Sequence, residues 1–294
     1  LIEIIKPHVD NIESFIWVAE KKNYPNKIRA GKFKITGGMN NETLVDHLRG
    51  GKQETVTLTF NNQDNFEKLA GRVGNQIEAD SVALLDVFQD TDFMKENGFD
   101  KQTAIAMYIP NSYDFYWNTS AEKFRDKMLV EYKRFWTKDR VLKAKEQKLT
   151  PIQVSTLASI VQKETSAIKE RNTVAGLYLN RLHDFWPLQA DPTIIFALKQ
   201  KYGQDKEYMR VLNKDLTIDS PYNTYSNFGL PPGPIAMPDI SSIEAVLQPE
   251  KHSYYYMCAS VENIGYHKFA KTLKQHNINA TAYQKWVSQQ GINR

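Results

Sequence analysis

One cysteine in 294 residues, Cys258, rules out a disulfide within the chain and leaves a small apolar side chain as its simplest role. No apolar run reaches the length of a membrane span, and no signal peptide opens the chain. Zinc-type Cys/His spacing is missing, so no metal ligand set is expected. There is no lysine run interleaved with aromatics, and the net charge is only +4. That balance tolerates an anionic polymer but gives no footing for nucleic-acid binding. Internal repeats and low-complexity tracts are also lacking. What remains is 41% hydrophobic and 24% charged, an ordinary globular composition with enough chain for a sizeable core and two domains. The chain opens "LIEIIKPHVD" without methionine, and a lost N-terminal segment is the expectation.

The first part alternates short strand-like and helix-like pieces. "GKFKI" (31–35) reads as a strand, "NETLVDHLRGG" as a helix stopped by Gly50 and Gly51, and "ETVTLTF" (54–60) as a half-buried strand with period two. Two helices follow near 64–73 and 81–89. "YIPNSYDFYWNTS" (108–120) reads as irregular. The charged stretch "AEKFRDKMLVEYKRFWTKDRVLKAKEQK" reads as one helix with Phe124, Met128, Leu129, Tyr132 and Phe135 on its apolar face. At "LTP" the character changes: Thr150 is an N-cap, Pro151 suits the first helical position, and Gln153 completes a capping box. Helices at 171–182 and from "ADPT", a long irregular stretch at 219–239, a helix at 241–248, two strands and a C-terminal helix complete an α+β reading.

In "LASIVQKETS" the helix begun at Thr150 carries Glu164 on the same stripe as Leu157 and Ile160. A carboxylate on an apolar stripe is either tied to a nearby cation or holds its proton toward a pKa of roughly 6–7, as a general acid needs. An acid of that kind protonates a leaving oxygen, which points to glycosidic cleavage. Asp191 before Pro192 reads as an N-cap, and serves a site as well if the helix start faces one. Arg181 shares a stripe with Val174 and Leu177 and is expected to be buried, paired with a carboxylate or reaching a ligand. Tyr222, Asn223 and Thr224 are turn residues in isolation, but "YNTY" also supplies the amide, hydroxyl and aromatic faces that a sugar needs. A lone His267 is by default structural.

"LASIVQKET", "YLNRL", "LQADPTI", "YNTY" and "GLPPGPIA", closely spaced and in this order, resemble the MltG/YceG-like family of endolytic murein transglycosylases. "GYHKFAKTLKQHN" is similar to the family's C-terminal signature, and "AGKFKIT" through "LRGGKQETVTLTF" resembles its LysM-like module. One departure stands out, Gln162 where many members carry a second glutamate. The resemblance implies a LysM-like module over 1–62, a helical linking region over 63–149, and a mixed α/β catalytic domain with a substrate cleft over 150–294. It further implies cleavage of the MurNAc-β-1,4-GlcNAc bond in peptidoglycan to leave 1,6-anhydro ends, without cofactor or metal. Glu164 would be the acid, and Asn180, Arg181, Gln189, Asp191, Tyr222, Asn223, Thr224 and His267 would bind substrate. Implied partners are glycan strands and penicillin-binding synthases, with no nucleic acid. The implied setting is the cell envelope, the chain held at the cytoplasmic membrane by an anchor it does not contain. Two other classes stay open. One is a non-catalytic wall-binding or scaffold protein, for which the acid would be superfluous. The other is a hydrolytic muramidase, which needs a second carboxylate, Asp191 or Asp219, roughly 5–9.5 Å from Glu164.

Overall fold

Polar caps and a buried apolar face set the first helices. In a computed structural model describing residues 1–204, 206–208 and 210–290, α1 spans Ile2–Ile5, α2 Ile12–Lys21 and α3 Asn41–Gly50. Asn11 accepts the Ser14 amide at 2.7 Å and Asn40 accepts that of Thr43 at 2.8 Å, so α2 and α3 each start on a side-chain cap. Ile5, Phe15, Ala19, Tyr24, Leu44, Val45 and Leu48 form their shared core. The 31–35 stretch forms no strand: its one backbone bond to the chain before β1 is Glu54 N–H to Lys32 C=O at 2.8 Å, and Phe33 and Ile35 pack against the core instead.

Strand β1 (Thr55–Phe60) shows the expected alternation, with Leu58 and Phe60 buried between exposed threonines. Its antiparallel partner is β2 (Asn111–Tyr116), in register from Thr55 opposite Tyr116 to Phe60 opposite Asn111. The segment read as irregular therefore holds a strand. Only Phe115 is buried along it, so its sequence carries almost no alternation. Between the strands lie α4 (Phe66–Gly74), α5 (Ser81–Phe88) and α6 (Thr91–Glu96). The chain forms two units: Leu1–Phe60, Ala70–Val87 and Asn111–Phe124 in one, and Asn61–Leu69, Phe88–Pro110 and Arg125–Arg294 in the other.

The long charged stretch folds as two helices, α7 (Ala121–Phe135) and α8 (Lys138–Glu146). Thr137 breaks it by capping α8, its hydroxyl accepting the Arg140 amide at 3.3 Å. Next come α9 (Pro151–Glu164), α10 (Arg171–His183), α11 (Asp191–Tyr202) and α12 (Ile240–Leu247). The antiparallel pair β3 (Tyr256–Ala259) and β4 (His267–Ala270) then leads to α13 (Leu273–Gln289). The capping box of α9 is present in both directions, Thr150 with the Gln153 amide and Gln153 with the Thr150 amide.

Helix α9 is the centre of the second unit, packed by α10, α11 and α12 and buried continuously from Val154 to Gln162. Its buried polar groups fasten the irregular 219–239 segment. Ser159 Oγ accepts the Ile235 amide at 3.0 Å, while Gln162 donates to Met237 C=O at 3.1 Å and accepts the Asp239 amide at 2.5 Å. Arg171 closes that segment's end on both Asp239 carboxylate oxygens, each at 2.7 Å. Gly176 is required where α10 meets the Glu250 backbone and the His252 ring, since an added Cβ would strike the Glu250 carbonyl. No helix among the described residues is long and apolar enough to cross a membrane.

Candidate active site

Glu164 is the last residue of α9, half-buried, with Leu157 and Ile160 of its stripe fully buried beneath it. Burial raises its carboxyl pKa to about 7, and the nearby Asp191 charge pushes the same way. The Tyr178 hydroxyl, the His267 ring and the Arg181 guanidinium pull it down without cancelling the burial. Its position at a helix C-terminus, where the peptide dipoles present their negative end, also disfavours ionisation. Tyr178, on α10 and 1% exposed, donates its hydroxyl to Glu164 Oε1 at 2.6 Å. One carboxyl oxygen is thus fixed by the protein.

Arg181 lies one turn beyond Tyr178 and is buried as expected, but among the described residues it pairs with no carboxylate. Its Nε donates to Tyr255 C=O at 2.8 Å and its Nη1 to Leu188 C=O at 2.5 Å, so it reaches Glu164 through its field. Asp191 is exposed and is the first residue of α11, where Ala190 holds the cap position. The expected capping bond does not form, because its Oδ1 instead accepts the Tyr225 hydroxyl at 2.5 Å. Aimed at Tyr225, it contributes its charge to Glu164.

His267 opens β4 and is held by Glu170, a carboxylate 5% exposed. The His267 amide donates to Glu170 Oε1 at 2.6 Å, and Nδ1 lies 2.9 Å from Oε2, which also accepts the Thr165 hydroxyl at 3.0 Å. A carboxylate can only accept, so Nδ1 carries the hydrogen and Nε2 is left for other partners. Burial works against the imidazolium, yet the bonds and charge of Glu170, with Glu164 beyond, raise the His267 pKa above its ordinary value. Glu170 moves in the complementary direction: burial would raise it, and the bonds to His267 bring it below.

The remaining predicted positions make the frame. Asn180 donates to His252 C=O at 2.9 Å and Tyr254 C=O at 3.1 Å. Asn223, fully buried, donates to Leu216 C=O at 2.9 Å and Ile218 C=O at 2.8 Å, and accepts the Tyr225 amide at 2.9 Å. Thr224 Oγ1 accepts the Ala190 amide at 3.0 Å and lies 2.8 Å from Thr193 Oγ1. Tyr222 buries its ring against Phe196, centroids 4.6 Å apart. Gln189 is exposed, with a left-handed backbone at φ 52° and its amide on Thr224 C=O at 3.0 Å.

The electrostatic neighbourhood of Glu164 therefore joins Tyr178, Arg181, Asp191, Tyr225 and His267. Asp219 is exposed in the loop and does not act on it. Sequence reasoning missed Tyr178 and Glu170 as site residues. The first is a lone hydroxyl on an otherwise apolar helix face, and the second sits in the ordinary charged run "IKER". Chemically, a carboxyl poised near neutrality with one oxygen anchored can give a proton from the other oxygen and take one back.

A family model described as the YceG-like family matches residues 4–282. The endolytic murein transglycosylase of Bacillus subtilis (strain 168) is 29% identical over 277 residues, covering 88% of this chain and 73% of that protein. The protein of that name from Streptococcus pneumoniae serotype 2 is 30% identical over 297 residues, covering 92% of this chain. The chain spans 53% of the pneumococcal protein's length. A crystal structure of a putative YceG-like protein from Listeria monocytogenes superposes with a TM-score of 0.65 at 29% identity, over 92% of this chain and 90% of that one.

Proposed function

The chain belongs to the YceG-like family, and from that premise we propose that it is an endolytic lytic transglycosylase, cutting the MurNAc-β-1,4-GlcNAc bond within peptidoglycan strands. The observation that carries this reading is Glu164, a carboxyl with a pKa of about 7 and one oxygen held by Tyr178. The names of the Bacillus and Streptococcus relatives support the same reaction class.

Glu164 gives its proton to the glycosidic oxygen as the C1–O bond breaks and positive charge develops at C1 and the ring oxygen. The resulting carboxylate takes the proton from the sugar's own C6 hydroxyl while that oxygen bonds to C1. The strand is left with a 1,6-anhydro end and a free GlcNAc hydroxyl, no water is consumed, and Glu164 regains its proton. Asp191 supplies negative potential to the developing cation, and the His267 Nε2 side faces the sugar substituents. Gln189 completes the substrate contacts and Arg181 acts on Glu164 through its charge, while Asn180, Tyr222, Asn223 and Thr224 shape the site through the backbone they hold. Residues 150–294 form the catalytic domain, of which 205, 209 and 291–294 lie outside the described residues. Residues 1–62 act as a LysM-like glycan-holding module, with 63–149 linking the two. The setting is the extracytoplasmic face of the cell envelope, beside the synthases that make the strands.

A second reading rests on Asp191, whose carboxylate acts on Glu164 and is positioned by Tyr225. If it activated water, the same bond would be hydrolysed. Incubating wild type and Glu164→Gln with purified peptidoglycan, then weighing the soluble products, separates the cases. Anhydromuramoyl ends from wild type alone support the transglycosylase, and reducing muramic ends establish the hydrolase. Equal release by both proteins removes Glu164 from the chemistry. Silence from both, with an anchored full-length protein equally silent, leaves a wall-binding protein.

A further inference from the structure

Beside the site, one face of α11 is unspent. Pro192, Ile195, Phe196 and Lys199 recur at the spacing of a single helix face, and together with Lys163 and Ile235 they line a cavity of about 130 Å³. A second cavity of about 350 Å³ shares Asp64, Phe196 and Gln204 with the first and continues the groove toward Lys101 and Gln102. Two lining residues, Lys163 and Pro192, are the chain neighbours of Glu164 and Asp191, so the groove begins where the site ends.

Its chemistry differs from a sugar subsite. The apolar lining is aliphatic at Pro192, Ile195, Ile235 and Ile105 and aromatic at Phe66, Phe196 and Tyr222, and primary amides and lysines line the rest. Asp64 is already claimed twice, by Lys163 at 2.6 Å and Lys68 at 2.8 Å, and these bonds hold its carboxyl at about 2 against the opposing effect of its burial. Lys199 and Lys101 have no carboxylate of their own among the described residues. Among the described lining residues Glu67 is the only other acid, so three lysines, Lys101, Lys163 and Lys199, face two carboxylates. The groove suits a ligand with methyl side chains, backbone amides and free carboxylates.

We infer that it holds the stem peptide of the muramic acid at the cleavage point, its carboxylates on Lys199 and Lys101 and its alanine methyls on Ile195 and Ile235. This rests on the peptidoglycan reading above and adds a specificity determinant to it: the enzyme selects strands that still carry peptide.

The test compares kcat/KM on peptide-bearing glycan strands with that on strands stripped by an amidase, for the whole chain and for Lys101→Glu/Lys199→Glu. Wild type is expected to favour peptide-bearing strands about tenfold, the effect of one charge-assisted contact, with the ratio falling toward one in the variant. A ratio near one in wild type, or one retained in the variant, overturns the inference. An unchanged melting temperature for the variant assigns the loss to charge. If wild type cuts neither strand, the functional reading falls, and the groove is judged by NMR titration with synthetic L-alanyl-γ-D-glutamyl-L-lysyl-D-alanine. Saturable binding to wild type that weakens about tenfold in the variant upholds it, and no binding overturns it.

Discussion

Replacing Tyr178 by Phe removes one oxygen atom and keeps the ring that fills the core between α9 and α10. The lost hydroxyl is the donor 2.6 Å from Glu164 Oε1, and it favours the ionised carboxylate. Hydrogen bonds to charged groups are worth about 1.5–3 kcal/mol, and one pKa unit corresponds to about 1.4 kcal/mol. The same hydroxyl also donates to the protonated acid, so the net difference is the lower part of that range, about one unit. Since the general acid works while protonated, activity falls as pH rises through the Glu164 pKa. The alkaline limb of kcat should therefore move from about 7 to about 8 in Tyr178→Phe. The plateau below it should drop roughly tenfold, because the unanchored carboxyl spends part of its time misaligned. KM should change little, as Tyr178 is 1% exposed and touches no substrate. A kcat–pH profile on soluble glycan strands, with a thermal melt to confirm folding, makes the measurement. An alkaline limb that stays put or moves down would refute the role given to this hydrogen bond.

Glu164→Gln should be inactive yet more stable than wild type in mild alkali. The folded pKa of Glu164 is raised, so its contribution is fully present below the unfolded value near 4.5 and is lost as pH rises to about 7. Chemical denaturation at acidic and mildly alkaline pH should show the variant gaining about 2–3 kcal/mol on wild type, and parallel stabilities would count against the buried acid. Asp191→Asn removes a charge that raises Glu164 while its amide oxygen can still accept from Tyr225. The alkaline limb should fall by about half a unit, and a rise would contradict the assigned field. Gln162→Glu leaves Met237 C=O without its donor and sets a carboxylate beside Asp239. It should cost about 1–3 kcal/mol by denaturant midpoint, growing with pH, and a neutral exchange would mean the loop does not depend on that amide.

The apolar setting of Glu164 was legible because burial of a helix stripe is written in sequence spacing: Leu157, Ile160 and Glu164 recur where a helix interior must be. The α9 capping box was equally plain, since both partners lie within four residues. What escaped depends on partners far along the chain. β2 carries one buried residue, and its strand nature comes from β1, over fifty positions earlier. Thr137 caps a helix inside a run of helix-forming residues, where propensity alone argues for continuity. Asp191 had the sequence context of an N-cap and gave its oxygen to Tyr225, 34 residues away. Tyr178 and Glu170 gained importance only when the end of α9 and the start of β4 were brought against them. Asn223 and Thr224 lay in the right motif, but backbone carbonyl and amide groups of their own unit occupy their polar atoms.

The bonds from Ser159 and Gln162 to residues 235–239 join positions more than 70 residues apart. They can close only once the chain between them has been made and its ends brought together. Until then α9 is open to water, and Glu164 is an ordinary glutamate ionised at neutral pH. Its affinity for a proton is thus conferred by completed tertiary structure. A chain in which these bonds are open carries every residue of the site, yet Glu164 there lacks the burial that raises its affinity for a proton.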